Sequence, residues 1–353
     1  CNKCYHIQLT HVVNPDLLFK DYLYVSGTTK TLHDNMKWFV DYVLENSMWG
    51  EKASVLDIAC NDGTQLDYFK KKGFKTFGID PAKNLHKLSS KNHDVICDYF
   101  DSKHFDNTFE VIVAQNVFAH NSDPKGFLDH CSDLMHDDSV LYIQTSQADM
   151  ILNNQFDTIY HEHVSFFNIN SMRELTKRTS LVLTDVIKTP VHGISYLFRF
   201  TKNKFEGRTK ISNLIGVERQ RGLYKESTYD LYKANVNRIV DEFKQFTDLY
   251  RSKGFELVGY GAAAKGMTFL NFADVQLDYI IDDNKLKHHL YTPGTNVPIK
   301  PNDFLKQYNK NDKILFIPLA WNFYEEIRSR ILKTRNNEND CFLSYFPKVR
   351  VTK

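Results

Sequence analysis

Short apolar runs recur along the first half of the chain, at 55–59, 76–79, 95–97, 111–114 and 140–143, separated by helix-like segments and turn residues. That alternation predicts βαβ units and a parallel sheet. Two more β-rich runs, 182–187 and 196–200, follow without a full helix between them and predict an antiparallel hairpin closing the sheet edge. Ahead of the sheet, Leu32, Met36, Phe39 and Val43 recur at helical spacing, and 15–24 reads as a helix with Pro at its start. Residues 205–252 are polar and free of Pro; Leu223, Tyr224, Leu231, Tyr232, Val236, Ile239, Phe243 and Phe246 give them helical periodicity. A second βαβ series then begins, with strands expected at 256–260, 279–282, 313–318 and 341–345. The pattern divides the chain into a head (1–30), a first α/β domain (31–204), a helical connector (205–252) and a second α/β domain (253–353). No short-period repeat and no long low-complexity segment interrupts it.

Composition narrows the function class. At 353 residues and 42% hydrophobic, the chain can bury the cores of two domains. Lys+Arg 45 against Asp+Glu 43 leaves a net charge of +2, too balanced for a nucleic-acid or membrane-surface binder. No apolar run approaches the ~20 residues of a membrane span, and no signal-peptide pattern opens the chain. Cysteines at 1, 4, 60, 97, 131 and 341 are scattered, the usage of a reducing compartment, so a cytoplasmic monomer is expected. The chain begins with Cys1 rather than Met and is expected to be part of something longer.

The first strand runs into Asp57-Ile58-Ala59-Cys60-Asn61-Asp62-Gly63-Thr64, a buried strand, a tight turn and a helix start. Gly63 allows a close backbone approach, and the new helix offers unpaired N–H groups. The turn lacks the glycine spacing of a nicotinamide-binding site. Acids instead stand at successive strand ends: Asp57, then Asp80 at ribose reach, then Asp98, which with Tyr99 would face an adenine. Gln115 and Asn116 end the fourth strand, where a methionine part would lie. Any one of these residues is more simply a helix cap. The ordered set points to S-adenosylmethionine.

Candidate chemistry concentrates in Tyr160-His161-Glu162-His163. An imidazole titrating near neutrality can take a proton from carbon, a carboxylate can orient it, and Tyr160 can hydrogen-bond an enolate or ketone oxygen. The plain alternative is a polar loop. A metal site is the weakest reading, since the spacing is not His-Glu-x-x-His and no third ligand stands nearby. In the second domain, 259–266 (GYGAAAKG) follows a strand and opens a helix. Gly261, the helix N–H groups and Lys265 can cradle a pyrophosphate, although such turns also serve close strand–helix packing. Asp282, at the next strand end, would contact a ribose or cap a helix.

The segments CNKC at 1–4, FKDYLYVSG at 19–27, DIACNDG at 57–63, NVFAH at 116–120, YHEHVSFF at 160–167, HGIS at 192–195, GYGAAAKGMT at 259–268 and AWNF at 320–323 together resemble the sugar C-methyltransferases that act on nucleotide-linked 4-keto-6-deoxy sugars. The resemblance covers nearly the whole chain. It implies a zinc-binding N-terminal head, a central Rossmann-like S-adenosylmethionine domain, and a C-terminal Rossmann-like domain that has lost NAD and helps bind the nucleotide sugar. It further implies methylation at C-3' (C-5' in some relatives), His163 as general base, a tyrosine reaching the site from the head (Tyr24 by best match, with Tyr22 on the same face of an extended segment), and His192 at the substrate. Of the family's two Cys-x-x-Cys pairs only one is present, so Cys1 and Cys4 make half a zinc site. Ile194 replaces a glycine, and an arginine expected soon after it comes later, at Arg199. The rival readings are O-methylation of a sugar hydroxyl and a non-catalytic nucleotide-sugar binder.

Overall fold

The computed structural model describes residues 1–146, 148–190, 194–203 and 206–353, in two compact units. The first comprises Cys1–Ala148 and His161–Tyr224, the second Asp149–Tyr160 and Lys225–Lys353. The chain therefore passes from the second unit to the first between Tyr160 and His161, inside the candidate tetrapeptide.

In the first unit, β2 (Ser54–Ile58), β3 (Lys75–Ile79), β4 (Asp94–Ile96), β5 (Phe109–Gln115), β6 (Met135–Ser146), β8 (Val182–Thr189) and β9 (Ser195–Thr201) form one sheet in the order β4-β3-β2-β5-β6-β9-β8. The strands from β4 to β6 pair in parallel, while β9 runs antiparallel to both neighbours. The expected hairpin is present, with its second strand inserted beside β6 and its first at the edge. Alternate residues feed two cores: Leu56, Ile112, Leu141 and Phe198 join one cluster, Val55, Val111, Val140 and Leu197 the other. Strand order reverses between β2 and β5, and open α/β sheets bind ligands at the carboxyl ends flanking such a reversal.

Helices α2 (Lys30–Asn46), α3 (Thr64–Lys71), α4 (Lys83–Ser89), α5 (Pro124–Asp133), α6 (Ile169–Thr176) and α7 (Arg208–Gln220) complete the unit. The spacing read for α2 is its buried face: Leu32, Met36, Phe39, Val40 and Val43, behind a Thr29 cap. Glu218 of α7 is a buried carboxylate with its charge answered: it accepts from the Ile169 N–H at 3.1 Å, from the Tyr196 hydroxyl at 2.9 Å and from Tyr224. It thereby ties α7 to the start of α6. The head docks on the same region: β1 (Ile7–Gln8) pairs antiparallel with β7 (Ser165–Phe166), and Asn168 donates to the Tyr5 carbonyl at 2.7 Å. The helix expected over 15–24 ends early: α1 is Pro15–Phe19. Beyond it the Tyr22 N–H and carbonyl bond the Asn84 side chain at 3.0 and 2.8 Å, holding this stretch out of helix.

The second unit repeats the plan. Its sheet is β12 (Ile299–Lys300), β11 (Tyr279–Ile281), β10 (Glu256–Tyr260), β13 (Ile314–Pro318), β14 (Cys341–Ser344) and β15 (Arg350–Thr352) in that order, parallel except for β15. The short β12 and β15 carry no run long enough to read from sequence. Helices α8 (Glu226–Ser252), α9 (Ala264–Ala273) and α10 (Tyr324–Thr334) pack on it. The stretch read as one connector is divided at Gly222, where φ is +86°: α7 belongs to the first unit and α8 to the second. Phe269 sits at the centre of an aromatic core, stacked on Tyr345 at 3.9 Å and edge-on to Phe243 at 4.8 Å.

Because Phe269 is fully buried, Phe269→Ala should destabilise the second unit by about 3–5 kcal/mol. Denaturant unfolding followed by tryptophan emission should read this, since Trp321 lies 5.4 Å from Phe346 of the same core. A change under about 1 kcal/mol would show the core relaxing around the cavity.

Candidate functional site

Three residues of the turn after β2 adopt positive φ: Ala59 at 62°, Asn61 at 54° and Gly63 at 82°. L-residues rarely hold such angles, so something must impose them. Asp80, at the end of β3, does so. Its carboxylate accepts from the Asn61 N–H at 2.9 Å and from the Ala82 N–H at 2.8 Å. Burial raises the Asp80 carboxyl, and these two donors pull it back. Asp57 is buried below the turn, its carboxyl pushed well up by burial and then by the charges of Asp80 and Asp62. Gly63 is the N-cap of α3 and provides no side-chain cap, so the first N–H groups of α3 have no side-chain acceptor from the cap.

The Asn61 side chain holds the head segment rather than a ligand. Its oxygen accepts from the Ser26 N–H at 2.9 Å, and its amide donates to the Tyr24 carbonyl at 3.0 Å. One residue on, the Gly27 N–H donates to Asp62 at 2.9 Å. A Cβ on Gly27 would meet Thr64 Oγ1 and, at 2.7 Å, Asp62 Oδ2, so a larger residue there would displace both side chains. Farther back, Lys83 N–H donates to the Lys20 carbonyl at 3.1 Å. Residues 20–27 thus form a strap tied across the ends of β3 and β2.

The strap delivers two side chains to the tetrapeptide. The Tyr22 hydroxyl donates to Glu162 at 3.0 Å. Phe19 stacks on His120 at 5.6 Å with planes 3° apart, and His120 stacks in turn on His163 at 5.2 Å. His163 is buried, with Phe166 edge-on to it at 6.0 Å. Burial lowers the His120 imidazole to about 4 and raises the Glu162 carboxyl, the latter offset by Tyr22 and His161. His120 lies in the NVFAH segment but was not singled out as a site residue; a histidine closing a segment after a strand end was the available signal. Tyr22, rather than Tyr24, reaches Glu162. Tyr24 is 42% exposed and lies T-shaped to Tyr22 at 6.3 Å. Two tyrosines on one face of an extended segment cannot be told apart by alternation.

The other expected cofactor contacts are partly committed. Gln115 donates to Gln65 at 2.8 Å, whereas Asn116 is a turn residue with φ of 57°. Asp98 is exposed and accepts from the Tyr99 N–H at 2.7 Å. Cys1 and Cys4 are free thiols, and among the described residues no three His, Cys, Asp or Glu side chains gather to hold a metal. His192 lies outside the described residues. Arg199 bonds Thr184 at 2.9 Å and Glu206 at 2.5 Å.

In the second unit, the turn after β10 carries Gly261 at φ +89°. A Cβ on Gly259 would come within 2.9 Å of Ile280 and Leu319, and one on Gly266 within 2.6 Å of Leu319, so these two glycines serve close packing. Asp282 accepts from the Ala262 N–H at 2.7 Å and the Asn284 N–H at 2.8 Å, with the Lys287 ammonium at 3.6 Å. That is the capping role rather than ribose contact. Lys265, in the first turn of α9, has its ammonium 5.3 Å above the Trp321 ring; burial lowers its pKa and the Asp157 charge raises it. The N-cap of α9, Ala263, provides no side-chain cap. Tyr160 belongs to this unit and His161–His163 to the first.

The sequence matches the model of a methyltransferase domain over residues 33–186 and that of the C-methyltransferase C-terminal domain over residues 190–347. It is 26% identical over 340 residues to the C-methyltransferase NovU of Streptomyces niveus, covering 93% of this chain and 80% of that protein. Among solved structures, the magnesium protoporphyrin IX methyltransferase of Synechocystis PCC 6803 is 10% identical with a TM-score of 0.41, over 51% of this chain and 91% of that one. An S-adenosylmethionine-dependent methyltransferase of Clostridium acetobutylicum is 11% identical with a TM-score of 0.38, over 47% and 89%.

Tyr22→Phe removes a donor from the Glu162 carboxylate and should raise its pKa further, since the lost bond favours the anion. Carboxyl titration by NMR or infrared difference spectroscopy, with Glu162→Gln to assign the signal, reads this. An unmoved midpoint would mean the bond does not persist in solution.

Proposed function

We propose that this chain, a methyltransferase joining a methyltransferase domain to the C-terminal domain of C-methyltransferases, transfers a methyl group from S-adenosylmethionine to a carbon beside the ketone of a nucleotide-linked 4-keto-6-deoxy sugar, with C-3' favoured. The imidazole stack Phe19–His120–His163 with the Tyr22–Glu162 bond, in the same unit as the Asp80-held turn, is the observation that most supports it.

S-adenosylmethionine, when bound, supplies an electrophilic methyl group and no base. Asp57, Asp80, Gly63 and the start of α3 fit its nucleoside and methionine parts, with Asp98, Tyr99, Gln115 and Asn116 at the neighbouring strand ends. Methylating carbon needs a nucleophilic carbon, so a proton must leave the position alpha to the ketone, and a neutral imidazole at His163 can accept it. Burial holds the His120 imidazole at about 4, so it is uncharged at physiological pH and sets no like charge against a proton arriving on His163. In this reading Glu162, which accepts from Tyr22, supports a neighbouring imidazole, and Tyr160 bonds the enolate oxygen. In the second unit, Lys265, Gly261 and the α9 N-terminus suit the diphosphate of the substrate, with His192 as a further candidate at its binding site.

His163→Asn should lower turnover by roughly 10²–10⁴-fold while binding of either ligand changes little. With a substrate deuterated beside the ketone, the product should lose the label and carry the methyl on carbon. A product that keeps the label, methylated on oxygen, would sink the proposal. Lys265→Ala should raise KM for the nucleotide sugar far more than for the cofactor, and equal values within twofold would remove Lys265 from the site.

A further inference from the structure

Asp157 is wholly buried in the second unit, in the 3-10 turn Phe156–Thr158 that packs on α9. One carboxylate oxygen accepts from the Trp321 indole N–H at 2.6 Å; the other has no hydrogen-bond partner. A carboxylate in such a place must be answered by charge or take up a proton. Trp321, whose indole bonds this carboxylate, also carries the Lys265 ammonium of α9 5.3 Å above its ring, and the Tyr232 phenol of α8 and the Tyr345 phenol after β14 complete the groups whose charge it feels. The Tyr232 hydroxyl is itself buried without a hydrogen-bond partner, and the Tyr345 hydroxyl donates to the Leu319 carbonyl at 2.8 Å. Lys265 is therefore the sole cation among these groups. It is also the side chain that the proposed function gives to a diphosphate, a reading on which this inference rests.

We propose that Asp157 is the resident counter-ion of Lys265, that an anionic diphosphate arriving at Lys265 competes with it, and that binding draws a proton from solvent onto the Asp157 carboxylate. No covalent bond changes; the proton comes from the buffer and returns to it on release. Burial already raises this carboxyl to about 6, against the opposing pull of Lys265 and Trp321. A second anion beside the same ammonium weakens the first of those pulls, so the bound-state value lies higher still. The sign follows: affinity for the diphosphate falls as pH rises above about 6, by up to about tenfold per unit, until the bound-state value is passed. Below about 6 this dependence flattens.

The test is calorimetric and needs no turnover. Uridine and thymidine diphosphate glucose serve as probes, because their esterified diphosphates do not titrate in this range. Titrations of the full chain at pH 7, in two buffers of different ionisation enthalpy, should show net proton uptake. Asp157→Asn should abolish the uptake and leave affinity flat between pH 5.5 and 7.5. Trp321→Phe keeps the charge but removes the 2.6 Å donor, so it should move the turn in affinity to higher pH, which preserves the test if the Asn variant fails to fold. No uptake by the parent, equal uptake by Asp157→Asn, or an unmoved turn in Trp321→Phe would overturn the inference. Lys265→Ala separates the underlying reading: parental affinity in that variant refutes the cradle itself, whereas lost affinity with no parental uptake refutes Asp157 alone.

Discussion

The grip of Asp80 on the turn after β2 is the constraint from which the rest of the first-unit site follows. Two backbone N–H groups, of Asn61 and Ala82, end on one buried carboxylate. The Asn61 bond lies in the turn itself, and a hydrogen bond to a charged group contributes about 1.5–3 kcal/mol, against the positive φ of Ala59 and Asn61. With that backbone fixed, the Asn61 side chain is aimed at Tyr24 and Ser26, and Asp62 at Gly27. The strap they hold places Tyr22 on Glu162 and Phe19 on His120. A carboxylate on the second strand thus orders an imidazole pair several links away, each link a short contact on the way.

The second unit uses the same device with a different result. Asp282 takes one N–H from the turn after β10 and one from its own next-but-one residue, as Asp80 does. Here, however, the Lys287 ammonium stands on the carboxylate and donates to the Ala262 carbonyl at 2.8 Å. A strand-end acid engaged on three sides has little capacity left for sugar hydroxyls. Gly259 and Gly266 are likewise given to packing against Leu319.

How much was legible depended on how local the determining contacts are. Strands such as 256–260 were readable because a buried parallel strand is a continuous apolar run, and α2 because its buried face repeats every three or four residues. The strap was not. Its partners, Asn84, Asn61 and Asp62, lie 35 or more residues away and act through side chain to backbone bonds that leave no periodic trace. A helix was therefore expected where Asn84 holds extended chain. Alternation left Tyr22 and Tyr24 equivalent for the same reason, and the bond to Glu162 is made by Tyr22. Asp157 left no signal at all, since one acid between Phe156 and Thr158 looks like any surface turn until Trp321 and Lys265 are brought to it.

The stacking of His120 on His163 also bears on what an imidazole pair can do. A ring nitrogen's lone pair lies in the plane of its ring, so two imidazoles stacked face to face do not aim their lone pairs at one ion. These planes are 29° apart, with centroids at 5.2 Å, which directs the lone pairs alongside one another. The arrangement suits a base backed by a neutral aromatic surface. Phe19 on the far face of His120 completes that surface and shuts out water that would otherwise stabilise a charged His120. Burial keeps the His120 imidazole neutral, and the strap that supplies Phe19 is part of that burial.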